Sequence, residues 1–208
     1  ARAQELGLLT FQVDAAPATA RPARASRVVG RGTLLDLRAW LESVEPGSLE
    51  ASFGSRRATT AILNATPAVL QGLTAALDEQ AWKREPAPED WSVLEIVCHL
   101  RDTEREVHRA QLSALLQETQ PFVPRPDAAV WAKQRNYLTE NGPAALAALR
   151  AAREQTLHDV AAVSAELWEK PASHAIFGPT HFGEVIGFMA DHDRLHIQQA
   201  WETLHTAG

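Results

Sequence analysis

A single cysteine, Cys98, is all the thiol this chain carries, so no internal disulfide can staple it and its core must come from packing. Long hydrophobic runs are missing as well. No apolar stretch approaches the roughly 18 to 20 residues of a membrane span, which argues against a helical membrane protein. Nor is there a surplus of positive charge: acids outnumber bases 26 to 20, for a formal charge of -6 and a pI near 5.8. Generic nucleic-acid binders are basic across the domain, so no nucleic-acid partner is expected. The N-terminal stretch lacks the charged, apolar and small-residue succession of a secretory signal, and with one cysteine the expected compartment is a reducing cytoplasm. A glycine-rich phosphate cradle and a nucleophile elbow are absent too, which removes two common catalytic readings.

What is present suits a soluble protein with one good core: 45% apolar and 22% charged residues in a chain of 208. Residues 1–32 stand apart. Pro17, Pro22, Gly30 and Gly32 punctuate them, and arginines outnumber acids. LLTFQV and SRVVG have the composition of short strands, but so polar and interrupted a stretch reads first as a loosely packed arm, whose Arg21, Arg24, Arg27 and Arg31 would suit an acidic partner. Thr33-Leu34-Leu35-Asp36 resembles a capping box and predicts a short helix near 33–44, before Pro46 and Gly47.

From about Arg57 the pattern turns helical, with Ile62, Ala65, Val69, Leu73 and Leu77 at spacings of three and four, and the reading carries this first helix toward Pro86. A second helix opens at the capping box Ser92-x-x-Glu95 and runs through WSVLEIVCHLRDTEREVHRAQLSALLQ. Residues 119–142 form a long proline-rich connection in which DAAVWAKQRNYL has a turn or two of helix. A third helix begins at Pro143, KPASHAIFGPT reads as a loop, and a fourth helix covers about His181 to Leu204. The predicted fold is therefore an all-α four-helix bundle over residues 56–206, with an irregular extension, residues 1–55, ahead of it. The long connection allows helices two and three to run parallel.

Near the C-terminus, in FMADHDRLHIQQAWETL, His192 and His196 stand at i and i+4. That spacing puts both imidazoles on one helical face, able to meet one ion. His99, among apolar neighbours on helix two, supplies a third. Three buried imidazoles with no ion would have to shed protons and find separate partners, so together they point to a metal site. The remaining histidines fare differently. His108 is nine residues from His99, two and a half α-turns, and is expected on the solvent side, as is His205 relative to His196. His158 falls on the polar end of helix three, His174 in a loop, and His181 in the first turn of helix four. Glu95 fits the capping box better than a ligand or base role. Asp102 reads as an orienter of an imidazole or a solvated group, Asp191 and Asp193 as solvated or helix-pair charges, and Cys98 as a buried small apolar residue. Trp131, Arg135 and Tyr137 of the long connection are candidates to line a pocket near the ion. Two motif readings fail on inspection: His192 is followed by Asp193 rather than the glutamate of H-E-x-x-H, and no aspartate follows Asp193 to complete a phosphohydrolase constellation.

The stretches WSVLEIVCHLRD at Trp91–Asp102 and GEVIGFMADHDRLHIQQ at Gly183–Gln199, with the long connection between them, resemble the DinB/YfiT family of metal-dependent enzymes over about residues 56–206. The resemblance implies an up-down-down-up four-helix bundle that is a homodimer. It further implies a divalent ion, zinc or nickel by ligand type, held by His99, His192 and His196. A small-molecule substrate and a low-molecular-weight thiol co-substrate, with S-transfer as the reaction, follow from the same source. Water activation by the same ion would make the chain a hydrolase instead, and a helical scaffold with a structural metal is the non-enzymatic alternative. A site closed by a fourth protein ligand would favour the scaffold, and an open, pocketed one would favour catalysis.

Overall fold

The computed structural model describes residues 55–206, together with the backbone of two short strands, residues 10–13 and 28–32. By its contacts the chain divides into residues 1–61 and 62–208. In the first unit, β1 (Thr10–Val13) pairs in parallel with β2 (Val28–Gly32). These strands fall within the two segments, LLTFQV and SRVVG, that have strand composition; Thr10, Phe11, Val13, Val28 and Val29 are residue types that favour a pleated backbone. The helix expected near 33–44 and the arginines Arg21, Arg24 and Arg27 lie outside the described residues.

The helical part is a four-helix bundle that runs up-down-down-up. Its first long helix is α1 (Arg56–Thr74), which stops well short of Pro86; Asp78 instead caps a separate turn, α2 (Glu79–Trp82), accepting from Ala81 N–H at 2.8 Å. The second long helix is composite: α3 (Val93–Asp102), six residues of π-helix (Thr103–His108) and α4 (Arg109–Gln117) follow one another without a break. It opens at the predicted capping box, with Glu95 N–H donating to Ser92 Oγ at 3.3 Å and Ser92 N–H donating to Glu95 Oε2 at 2.9 Å. The crossover holds a turn of α-helix, α5 (Trp131–Gln134), and a 3-10 turn (Tyr137–Thr139), and leads to α6 (Gly142–Ala161), whose first turn is capped by Asn141. Gly142 is required there: a Cβ would lie 2.4 Å from the Trp82 ring. After a short turn, α7 (Ala165–Trp168), the segment expected to be a loop is a β-hairpin, β4 (Pro171–His174) and β5 (Gly178–His181), and α8 (Phe182–Thr206) completes the bundle. Among the described residues no helix is long and apolar enough to cross a membrane.

The hairpin exists because the crossover has a strand to offer it. β3 (Phe122–Val123) pairs in parallel with β4, placing Val123 against His174, and Ala175 N–H donates to Val123 O at 3.0 Å. The other half of the crossover is tied to α3 through Asp102. Its carboxylate accepts from Arg101 Nε at 2.7 Å, from Arg135 at 2.8 Å and from the Tyr137 hydroxyl at 2.8 Å. Burial alone would raise the Asp102 carboxyl, but these three donors more than offset it and hold it below the ordinary carboxylate range. A carboxyl depressed by folding contributes stability that is complete above about pH 4 and is lost as pH falls through its lowered value. The Asp102→Asn variant is therefore expected to be less stable at neutral pH and to lose less stability than the parent between pH 5 and pH 2. Urea unfolding across that range checks it.

Inside the bundle a single cation joins all four long helices. Arg153 of α6 is 1% exposed. Its guanidinium donates to Glu104 in the π segment at 2.9 Å, to Asp193 of α8 at 3.2 Å and to the carbonyl of Leu63 in α1 at 2.9 Å. That carbonyl is free for a definite reason: its α-helical partner would be the N–H of residue 67, and residue 67 is proline. Asp193, expected to be solvated, is completely buried. The correction has a simple cause, since Arg153 lies across from it on α6.

Candidate metal centre

His99 comes from the middle of α3, and His192 and His196 come from successive turns of α8. The three rings gather with centroids 4.5–5.2 Å apart, His192 and His196 edge to face and His99 tilted to both. One nitrogen from each falls within 4.8 Å of the others, and the Nε2 atoms of His99 and His192 are 3.1 Å apart. Two nitrogens each about 2.0–2.1 Å from one tetrahedral ion would stand about 3.3 Å apart, so the spacing fits a shared ion. Burial, then repulsion from His196, takes His99 down to about 4. Burial also pushes His192 well below the ordinary imidazole value and, against the bond His196 donates to Gln199, lowers His196. All three rings are therefore neutral at pH 7 and carry lone pairs.

Their settings differ. His196 is fixed by Gln199, whose Oε1 lies 2.8 Å from Nδ1 and accepts its hydrogen, leaving Nε2 as the free lone pair. Trp91 lies parallel to the same ring at 5.9 Å. The Nδ1 atoms of His99 and His192 are buried without a hydrogen-bond partner. The sequence singled out the three histidines but not Gln199, although an amide at i+3 from a helical histidine is a local signal that can be read.

The larger departure is His108. The π segment takes about an additional residue per turn, so the nine residues amount to about two and a quarter turns rather than two and a half, and His108 is carried round toward the face of His99. It is 6% exposed and stands edge-on to His192 with centroids 5.3 Å apart. Glu104 Oε2 lies 3.1 Å from His108 Nδ1. Opposing its burial, His108 and Arg153 hold the Glu104 carboxyl far below its ordinary range, so it is an acceptor and Nδ1 carries the hydrogen. The other ring nitrogen of His108, Nε2, takes no part in that bond. Asp102, by contrast, serves the crossover instead of touching an imidazole. Asp191 pairs with Arg194 at 3.0 Å, His205 is exposed, and His181, expected to open the fourth helix, is instead the last residue of β5, its Nδ1 2.9 Å from Glu184 in the first turn of α8.

The three histidines and His108 line a cavity of about 570 Å³. Its walls include the β4–β5 hairpin and residues 125–129 of the crossover; Trp131, Arg135 and Tyr137, expected to line a pocket near the ion, do not line this one. Tyr137 is fully buried and the Arg135 guanidinium lies 4.0 Å over the Trp131 ring. Among the described residues the cluster holds three ligand groups and opens on the cavity.

A four-helix bundle with a long crossover thus presents three neutral histidines from its second and fourth helices to an open cavity, a set of groups able to hold a metal ion. The sequence signature of the DinB superfamily matches residues 62–200, and the chain belongs to that superfamily. Among solved structures it is similar to YfiT from Bacillus subtilis, described as a probable metal-dependent hydrolase with an unusual four-helix bundle topology. The two share 16% identity at a TM-score of 0.65, over 79% of this chain and 90% of that one. No protein of curated function matches the sequence.

Proposed function

We propose that the chain is a metal-dependent hydrolase acting on a small molecule, with His99, His192 and His196 holding one divalent ion, zinc or nickel. A bound ion of this kind supplies Lewis acidity that lowers the pKa of a coordinated water or thiol. The observation that carries the choice of water is the Glu104–His108 pair. A water nucleophile has to lose a proton at neutral pH, and His108 Nε2, oriented by Glu104, is an acceptor on the wall of the same cavity. Glu104 is itself fixed by Arg153, so the acceptor is preorganised rather than recruited. A thiol ionises at an ion more readily than water does and has less need of such a base.

Thiol transfer, the reaction the family resemblance implies, is the alternative that the test separates. The zinc-loaded protein is assayed on a panel of activated esters and amides, with and without an added low-molecular-weight thiol. Hydrolysis that needs no thiol, stops with chelator and returns with zinc is the expected result. Turnover only when thiol is present would assign transfer. No metal-dependent turnover of either kind contradicts the proposal.

A further inference from the structure

The far wall of the cavity carries a donor pair that meets no acceptor among the described residues. His174, in β4, is 6% exposed. Its Nδ1 accepts the N–H of Ile176 at 3.2 Å and of Phe177 at 3.3 Å, so the ring hydrogen is on Nε2. Arg125 is two residues beyond Val123, the strand partner of His174, and its charge lies close enough to reinforce the effect of burial in disfavouring protonation of that ring. Both residues line the cavity. Gln111 braces this part of the crossover by donating to Pro124 O at 2.7 Å, and prolines on both sides of Arg125 restrict its backbone. Two acids also line the cavity, but Asp191 is engaged by Arg194 and Asp127 accepts from Ala129 N–H at 3.2 Å. Among the described residues, none accepts a hydrogen bond from the Arg125 guanidinium. Beside this pair the wall is apolar: Phe177 stacks at 4.9 Å on His174 and packs at 4.4 Å on Phe188, and Ile176 adjoins them.

We propose that Arg125 and His174 form a carboxylate subsite, and that the substrate is an amphiphilic acid whose apolar body lies against Phe177 and Phe188 while its reacting group reaches the three histidines. Arginine presents two parallel donors that match the two oxygens of a carboxylate, and a neutral imidazole N–H adds a third bond without a competing charge. The inference rests on the cavity being the substrate site, as argued for the hydrolase.

The probes are phenylbutyrate and its neutral isostere phenylbutyramide, titrated calorimetrically into the full chain, zinc-loaded and chelated. The carboxylate is expected to bind about tenfold tighter than the amide, a hydrogen-bonded ion pair's contribution at a cavity wall. Arg125→Gln is expected to abolish that preference in both metal states while leaving amide affinity and zinc content unchanged, and Arg125→Lys to restore part of it. Arg125 is exposed, so the variants keep the fold. Equal affinity for acid and amide in the parent, or an unchanged preference in Arg125→Gln, overturns the subsite. A preference that depends on Arg125 in a protein that takes up no zinc would leave the subsite standing and remove the hydrolase.

Discussion

Replacing Arg153 with methionine is expected to destabilise the protein by about 3–5 kcal/mol, the usual cost of stranding buried charge. The substitution leaves Glu104 and Asp193 buried without their shared cation and also strips the Leu63 carbonyl of its only substitute for the amide that Pro67 lacks. Because every long helix contributes one of these groups, the loss should appear as a lower midpoint of a single cooperative transition rather than as local fraying. Chemical denaturation of parent and variant checks it. Adding Glu104→Gln and Asp193→Asn to the Arg153→Met variant removes the stranded charges and is expected to recover part of the stability. A variant with parental stability would mean that the network contributes nothing net.

The second large effect belongs to His108. His108→Gln is expected to lower turnover by about a hundredfold or more, the common cost of losing a positioned acid–base group, while metal content stays at the parental level. Glu104→Gln should follow the same direction, since an amide cannot hold the Nδ1 hydrogen as a carboxylate does. Turnover unchanged in His108→Gln would show that the ring is packing against His192 and no more. Loss of metal together with activity would instead make His108 part of the ion's support.

The difference between what could and could not be read in the sequence lies in one helical segment. The capping box at Ser92, the proline at the start of α6 and the i, i+4 pair on α8 are local signals: the first two placed their helices, and the third placed His192 and His196 on one face, beside His99. His108 was misplaced because a reading at 100° per residue assumes an unbroken α-helix, and nothing in Thr103–His108 announces a turn with an additional residue. The fate of Asp193 was more accessible. Arg153 is four residues from Leu149 and seven before Val160, on the apolar stripe of α6, and a buried arginine requires a carboxylate facing it. The β3–β4–β5 sheet was hidden for another reason. Two of its strands lie in segments dominated by proline, glycine and histidine, and they form because β3 comes to them across the fold, a non-local pairing that composition does not reveal.

The most direct test of the central claim is the metal content of the full chain by plasma mass spectrometry, after dialysis against trace zinc, for the parent and for His99→Ala, His192→Ala and His196→Ala. The expected result is close to one ion per chain in the parent, with near-complete loss in each variant while circular dichroism shows the helices intact. A parent that cannot be loaded with zinc or nickel, or a His192→Ala variant that retains its ion, would contradict a three-histidine metal centre.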